Sequence, residues 1–175
     1  TGSDVLLLVD AANSDDLQLN TAAVAGQRLL SANGATQYHL NDIRFQSSTD
    51  ANRATIDSNC AGTCQFNQLE VWDSNHLATL SGNGQHEFSA SQLTGQDSGI
   101  SASGQGILSI QSTNITTQQN ALFISGPDSS LQTVAIEHLS STERSVNVLG
   151  GNHDWEDVII SKTYSSFDSQ SEALN

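Results

Sequence analysis

Hydrophobic residues in this chain alternate with polar ones over short stretches, and small turn-forming residues close each stretch. Residues 78–93 read "ATLSGNGQHEFSASQL", and from Leu149 the chain reads "LGGNHDWEDVIISKT". Both pass from an apolar residue through a small-Asn turn into an alternating strand. Helical periodicity is scarce. Only Thr21–Leu30 has a helix-friendly composition, and its small residues suit a strand equally well. The prediction is short β-strands throughout, separated by Gly/Asn/Ser turns.

A repeat emerges when the apolar residue before each small-Asn turn is taken as an anchor. The anchors are Val9, Leu30, Ile56, Leu80, Ile100, Ile124 and Leu149, separated by 21, 26, 24, 20, 24 and 25 residues. Eight residues on stand Leu17, Tyr38, Phe88 and Leu108. Ten on stand Leu19, Leu40, Phe66, Ala90, Ile110 and Val134. Thirteen on stand Ala22, Ile43, Leu69 and Leu93, and fifteen on stand Val24, Phe45, Val71, Ile115, Leu139 and Tyr164. Trp155, Val158 and Ile160 continue the series with a slip of a residue or two, which places Trp155 in the core. Small residues follow each anchor by two, and Asn33, Asn59, Asn83 and Asn152 follow by three. Asparagine tolerates positive φ, so this column predicts one sharp corner per repeat, with stacked side-chain amides.

A period of about 23 residues with two or three strands per repeat fits an all-β, single-domain right-handed parallel β-helix of about seven coils. It would span residues 1–166, leaving a polar C-terminal tail at 167–175. In such a coil only alternate residues face inward. Each inward apolar side chain contributes about 1.5–3 kcal/mol, so a modest apolar fraction holds the coils together. That accounts for a chain of 175 residues that is only 36% hydrophobic and contains one proline and no methionine. Disordered chains of similar polarity lack regularly spaced Ile, Leu, Val and Phe.

The formal net charge of −14, with one lysine and four arginines, excludes nucleic acid and anionic membranes as partners, since phosphate binding requires basic stripes. The apolar run "VLLLV" is far too short to span a bilayer, so no membrane insertion is expected within this chain. A secretory leader is expected to have been removed or to lie outside the chain. Cys60 and Cys64, in "NCAGTCQF", permit three readings: a local disulfide stapling a turn, two free thiols, or half of a zinc site that lacks its second ligand pair. The first suits an oxidising, extracellular or cell-surface location.

The repeat resembles the right-handed β-helix class shared by pectin-lyase-like polysaccharide enzymes, phage tailspikes and bacterial surface adhesins. The resemblance covers Val5 to Tyr164 and is one of architecture. Polygalacturonase-like members carry Asn-Thr-Asp, an Asp pair, Gly-His-Gly and Arg-Ile-Lys. This chain has Asn-Thr-Ala at Asn20–Ala22 and lacks the rest. Pectate-lyase-like members hold calcium with clustered carboxylates near a basic residue. Asp154, Glu156 and Asp157, beside His153 and with Arg144 and Lys162 in flanking rungs, are the candidates for such a metal site; an acidic turn is the plainer reading. His39, His76, His86, His138 and His153 fall in different columns and do not predict a metal centre. No Gly-x-Ser-x-Gly elbow marks a nucleophile. No catalytic residue is assigned, and calcium is the only cofactor the pattern allows.

A ligand-binding surface is easier to place. Trp72 follows inward Val71 and should point outward beside Glu70, whose column contains Arg44 one rung before. Opposite charges adjacent across a parallel ladder attract, and an exposed indole can stack on a sugar; an edge aromatic covered by a loop is the plainer alternative. The expected role is therefore a non-catalytic extracellular surface adhesin or filament-forming structural module. Its partners would be a glycan or a host or partner surface protein, and head-to-tail self-association is a further expectation, since uncapped solenoid ends invite it. Polysaccharide binding or cleavage, and the globular part of a pilin-like subunit, are the alternatives.

Overall fold

A computed structural model of the chain describes residues 8–10, 17–26, 29–47, 54–139 and 145–162. The predicted tail at 167–175, Tyr164 and Arg144 lie outside the described residues. The strands are β1 (Leu8–Asp10), β2 (Leu17–Gly26), β3 (Leu30–Ser47), β4 (Ala54–Asn67), β5 (Glu70–Gly82), β6 (Gln85–Ser89) and β7 (Gln92–Ser103). They continue as β8 (Ile107–Gln111), β9 (Asn114–Thr117), β10 (Leu122–Ser125), β11 (Asp128–His138), β12 (Val146–Leu149) and β13 (His153–Lys162). The stretch read as permissive of helix, Thr21–Leu30, contributes its first part to β2. Every pairing is parallel and joins residues one repeat apart. The chain is a parallel β-solenoid with a period of about 22 residues. It makes about five turns, fewer than the seven that the anchor count predicts.

Each turn has three faces. On the first, Leu30, Ile56, Ala78, Ile100, Leu122 and Val146 stack inward, at separations of 26, 22, 22, 22 and 24. Two residues on, Ser58, Leu80, Ala102, Ile124 and Val148 stack on the same inward side. Ile56 and the pair Leu80 and Ile124 therefore occupy adjacent columns of one core, not a single column. Leu149 is not an anchor: it pairs with outward Ser125 and is 54% exposed. Its place is taken by Val146 and Val148.

On the second face the inward columns are Tyr38, Cys64, His86, Leu108 and Ser129, and Leu40, Phe66, Phe88, Ile110, Leu131 and Trp155. Phe66 and Phe88 stack at 4.5 Å between ring centroids, and Tyr38 meets Phe66 edge-on at 5.6 Å. Trp155 is half-buried and packs against this core, as the repeat predicts. On the third face Phe45, Val71, Leu93, Ile115, Ile136 and Ile160 form the inward column. Leu139 falls outside it and is 42% exposed, because the fifth turn reaches this column three residues earlier, at Ile136.

The corners differ from the predicted asparagine ladder. Asn33 pairs with Asn59, but Asn59 pairs with Ser81, so Asn83 and Asn152 do not continue that column. The first corner relies on glycine instead: Gly82, Gly104 and Gly126 have φ of 100°, 107° and 103°. The corner between the second and third faces repeats with φ of 49–54° at Asp42, Gln68, Ala90, Ser112, Thr133 and Asp157. Ala90, placed in the core by the ten-residue count, is one of these exposed corner residues. Val134, in the same count, is buried just past the corner at Thr133.

Candidate functional site

Outward residues on the second face are tied to one another from rung to rung. Asn67 Nδ2 donates to Asn41 Oδ1 at 2.6 Å, and Ser89 Oγ donates to Asn67 Oδ1 at 2.9 Å. Further along that column Gln111 Nε2 donates to Gln132 Oε1 at 3.1 Å, and Gln132 Nε2 donates to Glu156 Oε2 at 3.4 Å. In the neighbouring column His39 is hydrogen-bonded to Gln65, whose Nε2 donates to Glu87 Oε2 at 2.6 Å. Gln85 Nε2 donates to the other Glu87 oxygen at 2.6 Å. A regular rung spacing of about 4.8 Å brings like side chains within bonding reach, so amides on successive turns satisfy each other.

The third face has a different character. Its outward columns run Arg44, Glu70, Gln92, Asn114 and, alongside, Gln46, Trp72 with Thr94 and Thr116 on later rungs. Arg44 Nε and Glu70 Oε2 lie 3.2 Å apart, the pairing expected from the repeat, with side chains 65% and 51% exposed. Exposed pairs of this kind contribute about 0–1 kcal/mol. Trp72 is outward and half-buried. The strand register shifts directly after Val71, Asp73 adopts φ of 59°, and Gln46 Nε2 donates to Asp73 Oδ2 at 3.1 Å. A bulge of this type re-aims the neighbouring side chain.

Inside the second coil, Cys60 and Cys64 form a disulfide with Cα atoms 6.3 Å apart, both fully buried. The bridge closes the corner at Ala61–Thr63, so neither free thiols nor zinc ligands are present there. Next to it lies a polar network that apolar patterning misses. Tyr38 is hydrogen-bonded to Ser58, and Ser58 Oγ lies 2.8 Å from His86 Nε2. The signal was available: His86 sits two residues before inward Phe88, and Ser58 two after inward Ile56. A serine and a histidine at this distance have the reach of a nucleophile and its base. Both are buried in the stack, however, and they act as core hydrogen-bonding partners. Burial pushes the Tyr38 hydroxyl above its ordinary range, and pushes His86 down from 6.5 to about 4, with a hydrogen bond from the imidazole to the Ser58 backbone opposing part of the drop.

That depressed value makes stability depend on pH. The unfolded chain binds a proton at His86 below about pH 6.5, while the folded chain resists until about pH 4. His86 therefore imposes no penalty above about pH 6.5, and the penalty grows as pH falls toward 4. At pH 5 the loss is about 2 kcal/mol relative to pH 7. Urea unfolding of the protein and of His86→Leu at both pH values isolates the effect from the surface carboxylates; an equal pH response in the two would overturn it.

The acidic candidates are not brought together. Asp154 continues the column of Ser130, and Glu156 that of Gln132, two residues along one strand and so about 7 Å apart. Asp157, at φ of 53°, has turned the corner toward the third face. Among the described residues no three His, Cys, Asp or Glu side chains gather around a cation position. His153 is engaged instead: its Nδ1 lies 2.7 Å from Ser129 Oγ and its Nε2 2.8 Å from the Gly150 carbonyl. His86 and His153 do share a column, contrary to the sequence expectation, but Leu108 and Ser129 separate them. Among the described residues no helix is long and apolar enough to cross a membrane. No protein-family model, characterised protein or solved structure matches the chain.

Proposed function

We propose that the chain is a non-catalytic solenoid module of an extracellular or cell-surface protein, acting as an adhesin or as a structural element. The observation carrying this reading is the way its polar surface is organised. Carboxylates, amides and histidines on the second face are spread along columns and bonded to their neighbours, as in the Asn41–Asn67–Ser89 and Gln111–Gln132–Glu156 runs. A rigid, flat, hydrated wall serves display and contact better than bond cleavage, which needs acid, base and charge-stabilising groups aimed at one point. The Cys60–Cys64 disulfide supports an oxidising compartment.

Incubation of the protein with polygalacturonate, monitored in the ultraviolet and by reducing-end assay, is expected to yield no unsaturated or shortened products. Release of either would overturn the reading in favour of the polysaccharide-cleaving alternative. Binding of glycan without cleavage is the second reading, favoured by the outward Trp72 on the third face.

A further inference from the structure

We infer that the third face carries a binding strip for a neutral, extended oligosaccharide lying along the solenoid axis, with the Trp72 indole as its stacking platform. This rests on the adhesin reading and names the ligand chemistry of its contact surface. The first support is a contrast between two faces of the same solenoid. On the second face the outward amides and carboxylates bond to each other across rungs. On the third face, among the described residues, the side chains of Gln92, Thr94, Asn114 and Thr116 make no hydrogen bond within the chain, and Gln92, Thr94 and Asn114 are exposed. Each amide offers two donors and an acceptor, and each hydroxyl offers both, a set that matches the mixed donor and acceptor character of sugar hydroxyls.

Spacing is the second support. Glu70, Gln92 and Asn114 are in direct register on successive rungs, as are Thr94 and Thr116. Rungs about 4.8 Å apart repeat at close to the length of one pyranose unit, so consecutive sugars would meet consecutive amides. The bulge after Val71 is the third. It falls at Trp72, the outward aromatic of this strip among the described residues, and a hydrogen bond links its ladder partner Gln46 to the next residue, Asp73. The half-buried indole leaves an apolar plane for a sugar face.

Charge decides between neutral and acidic glycans. With a net charge of −14 and Glu70 in the strip, a polyuronate meets repulsion that Arg44, already paired with Glu70, does not offset. A neutral chain meets none.

The test is titration of the full chain with cellohexaose, chitohexaose and hexagalacturonate, followed by calorimetry and tryptophan fluorescence, with product analysis after each titration. At least one neutral hexamer is expected to bind and to shift the emission, while hexagalacturonate does not bind. Trp72→Ala should weaken binding at least about tenfold. Gln92→Ala, at an exposed position that leaves folding intact, should weaken it several-fold, and Gln111→Ala on the second face should leave it unchanged. Failure of both neutral hexamers to bind, or equal affinity in the protein, Trp72→Ala and Gln92→Ala, overturns the strip and leaves the adhesin reading standing. Shortened hexamers after titration would instead overturn the non-catalytic reading itself.

Discussion

Replacing Phe66 with alanine is expected to lower the unfolding free energy by about 4 kcal/mol. The ring is fully buried, stacked on Phe88 at 4.5 Å with an interplanar angle of 18° and approached edge-on by Tyr38 at 5.6 Å. Two aromatic contacts add to the transfer of the ring itself. The site also resists collapse. Phe66 is registered between Leu40 and Phe88, whose backbones are fixed by ladder hydrogen bonds at the rung spacing, so little of the cavity can close. Urea denaturation measures the change, and Phe66→Leu, which keeps most of the volume, should lose about 1–2 kcal/mol. A loss under about 1.5 kcal/mol for the alanine variant would mean that the aromatic stack is not the centre of the core.

The second large effect is expected at Gly104. Its φ of 107° lies where an L-residue is strained, and an added Cβ would meet the Gly82 carbonyl oxygen at 2.4 Å. The obstacle is backbone and cannot rotate away. The same arrangement recurs one rung on, where a Cβ on Gly126 would meet the Gly104 carbonyl oxygen at 2.5 Å. Gly104→Ala should therefore cost about 3 kcal/mol, combining backbone strain with overpacking. Gln105→Ala, at the exposed neighbouring position, should change stability by less than about 0.5 kcal/mol. A thermal or urea unfolding series containing both variants checks the contrast, and a near-neutral Gly104→Ala would show that the corner can relax.

The solenoid was legible in the sequence because alternation and a constant period are both backbone properties. The columns containing Leu40, Phe66 and Ile110, and Phe45, Val71 and Ile115, stand where the count places them, as does the Arg44–Glu70 pair. Phase was harder to read. In a strand, residues i and i+2 face the same way, so Leu80 serves as well as Ala78 to mark the inward side. Choosing the bulkier residue shifted that anchor by two. The same preference for bulk hid Ala102, Ser58 and His86, which fill inward positions without being large and apolar. Asparagine misled for another reason: a tolerance for positive φ shows that a residue can occupy a tight corner, not that it does. The bulge at Asp73, which shapes the surroundings of Trp72, is marked only by a residue type that tolerates positive φ without requiring it.

The left-handed corner shared by Asp42, Gln68, Ala90, Ser112, Thr133 and Asp157 has a consequence for how the molecule can vary. Four of these six, Gln68, Ala90, Ser112 and Thr133, are of types that do not favour this region, so at those corners the conformation is set by the neighbouring rungs and not by the side chain. Templating of that kind makes the rod divisible. Excising residues 78–99 would splice Leu77 to Ile100, the residue registered with Ala78, and leave a shorter rod with every column continuous. Excising a stretch that does not end on registered partners would turn the downstream apolar set toward water. Length can thus change by whole windings without redesign of the remainder, as links are taken from a chain.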